Sequence, residues 1–170
     1  RQTLFRQAVL ERGIPHRPHG LISDDDPLLV TMCKEAQPFQ KNIAKDDGSV
    51  LTEMSWAVGD DAARRGIDLR YALKGDHVVG VVQFGDGACI DQAAMRNIHG
   101  GAIHTVLDEI TAETVKILHA RSCSTSEFSS AIKKPIEPGQ VYTLESKVIS
   151  HAPPKIFTDV RMRLGRTIVA

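Results

Sequence analysis

Three stretches make this an α+β chain, with one long helix against an antiparallel sheet. Residues 67–84 hold two segments of strand character around a Lys74-Gly75-Asp76 turn, and residues 100 to about 119 carry a helical apolar period. Beyond residue 125, three more strand-like segments are parted by Pro138-Gly139 and Pro153-Pro154. Two strands, a helix and then a run of strands is the order of a sheet whose helix is segregated to one face.

In chain order, residues 3–12 predict a helix with Leu4, Phe5, Ala8 and Val9 on one side and Gly13 as its stop. His16-Arg17-Pro18-His19-Gly20 reads as a loop, since proline and glycine break up the two histidines and no metal-binding spacing fits. Ser23-Asp24-Asp25-Asp26-Pro27 is a helix entry, with a capping residue, acids in the first turn and an early proline. That helix is expected over 27–36, with Leu28, Met32, Cys33 and Ala36 turned inward. Residues 37–60 are weakly patterned; Lys45-Asp46-Asp47-Gly48 is a turn and Trp56 a packing anchor.

Residues 67–73 alternate apolar and polar side chains with period two, and residues 77–84 supply the pairing strand. A glycine-containing loop then leads into the long helix, where Ile103, Leu107, Ile110 and Ile117 share one face. Later strands are expected over 125–133, 141–151 and 156–164, with 166–170 prolonging the last one. The division this suggests is an N-terminal helical extension over 1–60 and the sheet-and-helix domain over 61–170.

Composition narrows the function. At 170 residues the chain suits one domain with a real core. A formal net charge of zero gives no general attraction to nucleic acid or anionic surfaces. Cys33, Cys89 and Cys123 are odd in number and lack metal-type spacing, as expected of reduced thiols. No apolar run reaches the length of a membrane span. The expected compartment is the cytoplasm, or the mitochondrion if a targeting peptide precedes Arg1.

The chemistry concentrates in Asn97-Ile98-His99-Gly100-Gly101-Ala102-Ile103-His104-Thr105-Val106-Leu107-Asp108-Glu109. The first N–H groups of a helix lack internal acceptors and carry partial positive charge. Glycine there leaves room for a substrate oxygen to approach the backbone. Asp108 comes two turns later, on a flank of the helix beside the buried stripe, with His104 one turn below it. A bare N–H for a carbonyl oxygen and a carboxylate further along are two parts that acyl transfer requires. His104 and Asp108 form a possible metal pair but lack a third ligand at suitable spacing, so no metal is expected.

His-Gly-Gly, six residues and then Asp resembles the hotdog-fold acyl-CoA thioesterases, including the phenylacetate-degradation type and the animal thioesterase-superfamily members. Thr125, ten residues before Pro135 in Thr-Ser-Glu-Phe-Ser-Ser-Ala-Ile-Lys-Lys-Pro-Ile, resembles the strand that carries the family's active-site Ser or Thr. The likeness covers about residues 60–170. It implies a sheet wrapped around the central helix, a homodimer with the site between protomers, and an open choice between dimer and tetramer.

The resemblance also implies roles. Asp108 would be general base or nucleophile, Gly100 the N–H donor to the thioester oxygen, and Gly101 the residue permitting close approach. His99 would orient the loop, and Thr125 would hold the water or the carboxylate, with Ser124 or Ser126 as substitutes. Lys133, Lys134 and Arg96 would meet the phosphates of coenzyme A, and no cofactor is called for beyond the coenzyme A of the substrate. Some members carry Asn or Gln about six residues before the His. Here that position is Ala93, with Gln92 one step away.

The activity implied is hydrolysis of acyl-CoA to a free fatty or aromatic acid and coenzyme A. One alternative is a hotdog protein that binds acyl-CoA without turnover. A hotdog hydratase or dehydratase fits less well, because Ala94-Met95-Arg96-Asn97-Ile98-His99 lacks the Asp and Pro of the Asp-x-Asn-Pro-hydrophobic-His pattern those enzymes resemble.

Overall fold

The computed structural model describes residues 20–38, 42–44, 50–52, 60–90, 96–119 and 123–170. The helix expected over 3–12, residues 16–19 of the expected loop, the turn at 45–48, Trp56 and the Gln92/Ala93 position lie outside them.

The first described helix, α1 (Pro27–Glu35), starts as its entry chemistry dictates: Asp26 is the N-cap, its carboxylate accepting from the N–H groups of Leu28 and Leu29. Its inward residues are Leu29 and Met32, with Ala36 just past the end also buried. Leu28 and Cys33 were expected inward and are instead exposed. Positions 29, 32 and 36 follow the i, i+3, i+7 spacing of one helical face, and 28 and 33 fall outside it.

Three short strands follow, β1 (Gln37–Pro38), β2 (Asn42–Ala44) and β3 (Val50–Thr52), and then a short helix, α2 (Asp60–Arg64). The stretch before residue 60 thus carries strands besides its helix. The main strands β4 (Ile67–Lys74) and β5 (His77–Phe84) pair antiparallel from Ile67↔Phe84 to Lys74↔His77. A 3-10 turn (Asp86–Ala88) and the small pair β6 (Cys89–Ile90) and β7 (Asn97–Ile98) bring the chain to the long helix, α3 (Gly100–His119). The chain ends with β8 (Val141–Ala152), β9 (Lys155–Leu164) and β10 (Thr167–Ile168).

The sheet has six strands in the order β1-β4-β5-β8-β9-β10, and every pairing is antiparallel. One face receives α3. Ile103, Val106, Leu107 and Ile110 of the helix pack with Leu69, Val78, Val82, Phe84, Tyr142, Leu144 and Met162 of the strands. The other face, at β4 and β5, is covered by α1 and the segment before it, where Ile22, Leu29, Met32 and Ala36 meet Ala72 and Val81.

The polar residues of β4 lie under this second layer. Asp68 is fully buried and Arg70 nearly so. The Asp68 carboxylate accepts from the Ile22 N–H at 2.9 Å and from Arg70 Nε and Nη2 at 3.3 Å. Arg70 also donates to the Ile22 carbonyl and to Asp24 Oδ1, each at 2.9 Å. Burial opposes the Arg70 charge, but the hydrogen bonds and charges of Asp24 and Asp68 outweigh it and hold the guanidinium above its ordinary value.

Two expectations need correction. Residues 125–133 were expected to form a strand; they run extended and exposed without joining a ladder. Only at the far end do the N–H groups of Lys133 and Lys134 reach the Val169 carbonyl. Residues 166–170 were expected to prolong the last strand. Instead Gly165, at φ +57°, turns the chain back, and β10 pairs antiparallel with β9.

Candidate active site

The long helix starts at Gly100 because His99 caps it. The His99 carbonyl accepts from the Ala102 N–H at 2.9 Å, and its Nδ1 accepts from the Gly101 N–H at 2.9 Å. Nδ1 is therefore the unprotonated ring nitrogen, and the imidazole is bound to the helix start as an orienting group. The two glycines differ. A Cβ on Gly101 would lie 2.9 Å from His99 Nδ1, so the cap itself requires glycine there. A Cβ on Gly100 would meet nothing closer than Ile132 Cδ1 at 3.9 Å. Among the described residues, the Gly100 N–H has no acceptor.

Asp108 projects from the flank of α3 that turns away from the sheet, and it is half-buried. Thr125 Oγ1 donates to its Oδ1 at 2.6 Å. Among the described residues, Oδ2 has no donor. One oxygen is thus fixed and the other is open, the state of a carboxylate able to accept a proton from a bound molecule.

The extended segment runs back along this flank, opposite in direction to the helix. Cys123 Sγ approaches the Ala112 carbonyl at 3.6 Å, and Thr125 meets Asp108. The Phe128 ring stands edge-on to His104 with centroids 5.8 Å apart, and Ile132 reaches the space over Gly100. Along this line the carboxylate and hydroxyl lie toward one end, the helix N-terminus at the other and His104 with Phe128 between. The part played by Phe128 was not legible from sequence. Its available signal is an aromatic three residues beyond Thr125 in a segment otherwise short of large apolar side chains.

The basic residues gather near the helix start. The Ile98 N–H donates to the Ile136 carbonyl, which brings the segment holding Lys133 and Lys134 alongside residues 98–100. Both lysines are exposed. Arg96 is exposed too and is paired with Asp86 at 2.6 Å. The structure therefore brings His99, Gly100, Gly101, Asp108 and Thr125 onto one helix flank, with Lys133 and Lys134 at its N-terminal end. Among the described residues, no three His, Cys, Asp or Glu side chains are grouped to hold a metal, and no helix is long and apolar enough to cross a membrane.

Comparison with solved structures decides the architecture. A conserved protein of Pseudomonas aeruginosa superposes with a TM-score of 0.55 at 15% identity, covering 66% of this chain and 88% of that one. Thioesterase superfamily member2 of Mus musculus superposes with a TM-score of 0.52 at 10% identity, over 59% and 74% of the two chains. The fold is the hotdog. A phenylacetic acid degradation-related protein of Ralstonia eutropha JMP134 gives a TM-score of 0.54 at 17% identity, over 66% and 84%. No family model and no curated protein matches the chain. In the hotdog frame α3 is the central helix, and its open flank is the one that carries Asp108.

Proposed function

We propose that the chain hydrolyses acyl-CoA thioesters to a free acid and coenzyme A, at a site shared by two copies. The observation that carries this reading is the Thr125–Asp108 hydrogen bond on the open flank of α3, the helix whose first N–H, at Gly100, has no acceptor among the described residues. Between Gly100 and Asp108 the helix rises about 12 Å. A thioester carbonyl needs its oxyanion donor and its attacking oxygen within a few ångströms of each other. One copy therefore cannot supply both, and the Gly100 N–H of a second copy serves the carbonyl attacked beside Asp108 of the first.

In this reading Thr125 holds one oxygen of Asp108, and the other takes a proton from water as that water attacks the carbonyl carbon. The oxyanion rests on the Gly100 N–H, an interaction worth about 3 kcal/mol in comparable sites. Collapse of the tetrahedral intermediate breaks the C–S bond, and the departing thiolate recovers the proton from Asp108. Lys133 and Lys134, with Arg96, take the phosphates of the coenzyme. The acyl tail, aliphatic or aromatic, lies in an apolar channel beside the central helix.

The test is release of free thiol from short, long and aromatic acyl-CoAs, with Asp108→Asn assayed beside the wild type. Turnover that falls by about a hundredfold in the variant supports the carboxylate mechanism. No turnover on any substrate overturns it, and tight binding of intact acyl-CoA would then make the protein a carrier.

A further inference from the structure

We infer that His119 and His151 together bind one divalent cation of the zinc, nickel or copper class, which clips the end of α3 to the β8–β9 hairpin. His119 lies about 16 Å along the helix from Asp108. An ion held there is too far away to touch an acyl group at Asp108, so the site stands apart from the proposed hydrolysis.

Two elements distant in sequence deliver the imidazoles. His119 is the last residue of α3 and half-buried, and His151 is an exposed residue of β8. An irregularity in the strand turns His151 onto the helix. Up to Val148 the even-numbered residues of β8 face α3, Leu144 opposite Met162, Ser146 opposite Val160 and Val148 opposite Thr158. Ile149 is then an extra residue, after which Ser150 lies opposite Phe157 and His151 opposite Ile156. Ile156 shares its face of β9 with Thr158, Val160 and Met162, and His151 joins them there. In a regular strand His151 would point to the opposite face. Bulges re-aim side chains in this way.

The ring centroids of His119 and His151 are 5.3 Å apart, with the planes tilted by 57°. Rotation about the Cβ–Cγ bond exchanges the ring edges and leaves the centroid almost in place, so the separation is the fixed quantity. An imidazole nitrogen ligates zinc at about 2.0–2.1 Å, which puts the ion about 3.2 Å from the ring centroid. Two rings 5.3 Å apart then subtend about 110° at one ion, near the tetrahedral angle. Imidazole suits Zn²⁺, Ni²⁺ and Cu²⁺, whereas Ca²⁺ and Mg²⁺ take oxygen ligands. The helix end adds to the attraction, because its last carbonyls carry partial negative charge.

Among the described residues, neither ring has a hydrogen-bond partner for the cation to displace. The neighbouring charges are committed elsewhere. Lys116 Nζ lies on Glu113 Oε1 at 2.9 Å, and Asp159 faces outward with Arg161 at 3.2 Å. Lys155 lies opposite Ala152, on the face away from α3. Cys123 is drawn two turns back along the helix, to the Ala112 carbonyl. The remaining positions around the ion are left to water.

Calorimetric titration of the untagged chain with zinc chloride should show one tight site, and His16→Ala with His19→Ala should leave it unchanged. His119→Gln and His151→Gln should each weaken it by about a hundredfold, since a chelate that loses one arm forfeits the effective concentration that arm supplied. With one equivalent of Cu²⁺, electron paramagnetic resonance should show two coordinated nitrogens in the wild type and one in either variant. Zinc should raise the melting temperature of the wild type and not that of His151→Gln, because the paired arrangement exists only in the folded chain. Mg²⁺ should not raise it. His151 is exposed, so its replacement spares the fold and keeps the test decisive if His119→Gln does not fold. A wild type that binds no zinc overturns the site. So does zinc binding that survives His151→Gln or disappears with His16 and His19, and so does copper held by fewer than two nitrogens in the wild type.

Discussion

Asp68 and Asp108 are carboxylates of one chain with opposite circumstances. Asp68 has no exposed surface, and each of its oxygens has a donor, Oδ1 from Arg70 and Oδ2 from Arg70 and the Ile22 N–H. Asp108 is half-buried, and among the described residues only its Oδ1 has a donor, from Thr125. The first ties a segment 46 residues earlier in the chain onto the outer face of the sheet. The second leaves a position unfilled. Of two conspicuous acids, the saturated one is structural and the incompletely partnered one is the group that the proposed hydrolysis uses.

The largest effect expected from breaking this contrast is on stability. Asp68→Ala leaves Arg70 buried beside a lost partner and should cost about 3–5 kcal/mol of unfolding free energy, read by denaturant titration. The folded fraction should keep its turnover number. Adding Arg70→Met should recover most of the loss, because an apolar pair in place of a buried ion pair is often neutral.

Asp108→Asn should do the reverse, leaving the melting temperature unchanged while kcat falls by about a hundredfold, near 2.7 kcal/mol of barrier. A single turnover of the wild-type chain in oxygen-18 water sharpens the point. Label in the product acid alone marks Asp108 as base, and label in the Asp108 carboxylate marks it as nucleophile. Thr125→Val should lower kcat by about tenfold and Thr125→Ser much less, since only the hydroxyl positions the acid. The smallest effect belongs to His99→Ala, which removes the cap on Gly101 and should cost about 1 kcal/mol of stability.

What could be read from sequence follows from how locally each feature is encoded. The central helix was legible because Ile103, Leu107 and Ile110 repeat on one face, and all three are buried. Strands β4 and β5 were legible from their period and the turn between them. The alternation of β4 did not reveal that Asp68 and Arg70 are covered, because the cover comes from a distant segment. Met32 and Ala36 were placed inward and are buried, whereas Leu28 and Cys33, one residue off the 29-32-36 stripe, are exposed, because apolar character alone does not say which side of the stripe the sheet covers. Residues 125–133 were expected as a strand from their resemblance to the family's Ser- or Thr-bearing strand, yet pairing depends on what lies alongside, which a local motif does not encode. Of the site, the glycines and Asp108 stood out by spacing. The approach of Phe128 to His104 depends on how the chain returns after the helix and left no local mark.

The buried hydroxyl pair behind the central helix has a consequence of its own. Thr114 Oγ1 donates to the Ile110 carbonyl at 2.7 Å and shares a 2.8 Å hydrogen bond with Ser146 Oγ of β8, both residues fully buried. Greasy surfaces slide over one another at little cost, since one methyl replaces another. A hydroxyl pair in such a surface acts as a locating pin: rolling the helix, or shifting it by one residue, parts two polar atoms in a dry interior at a cost of about 1–3 kcal/mol each. The pin sits a turn and a half beyond Asp108, and so it indexes the angle at which the carboxylate leaves the helix. Replacing both hydroxyls with apolar groups should spare the fold while loosening the aim of the site.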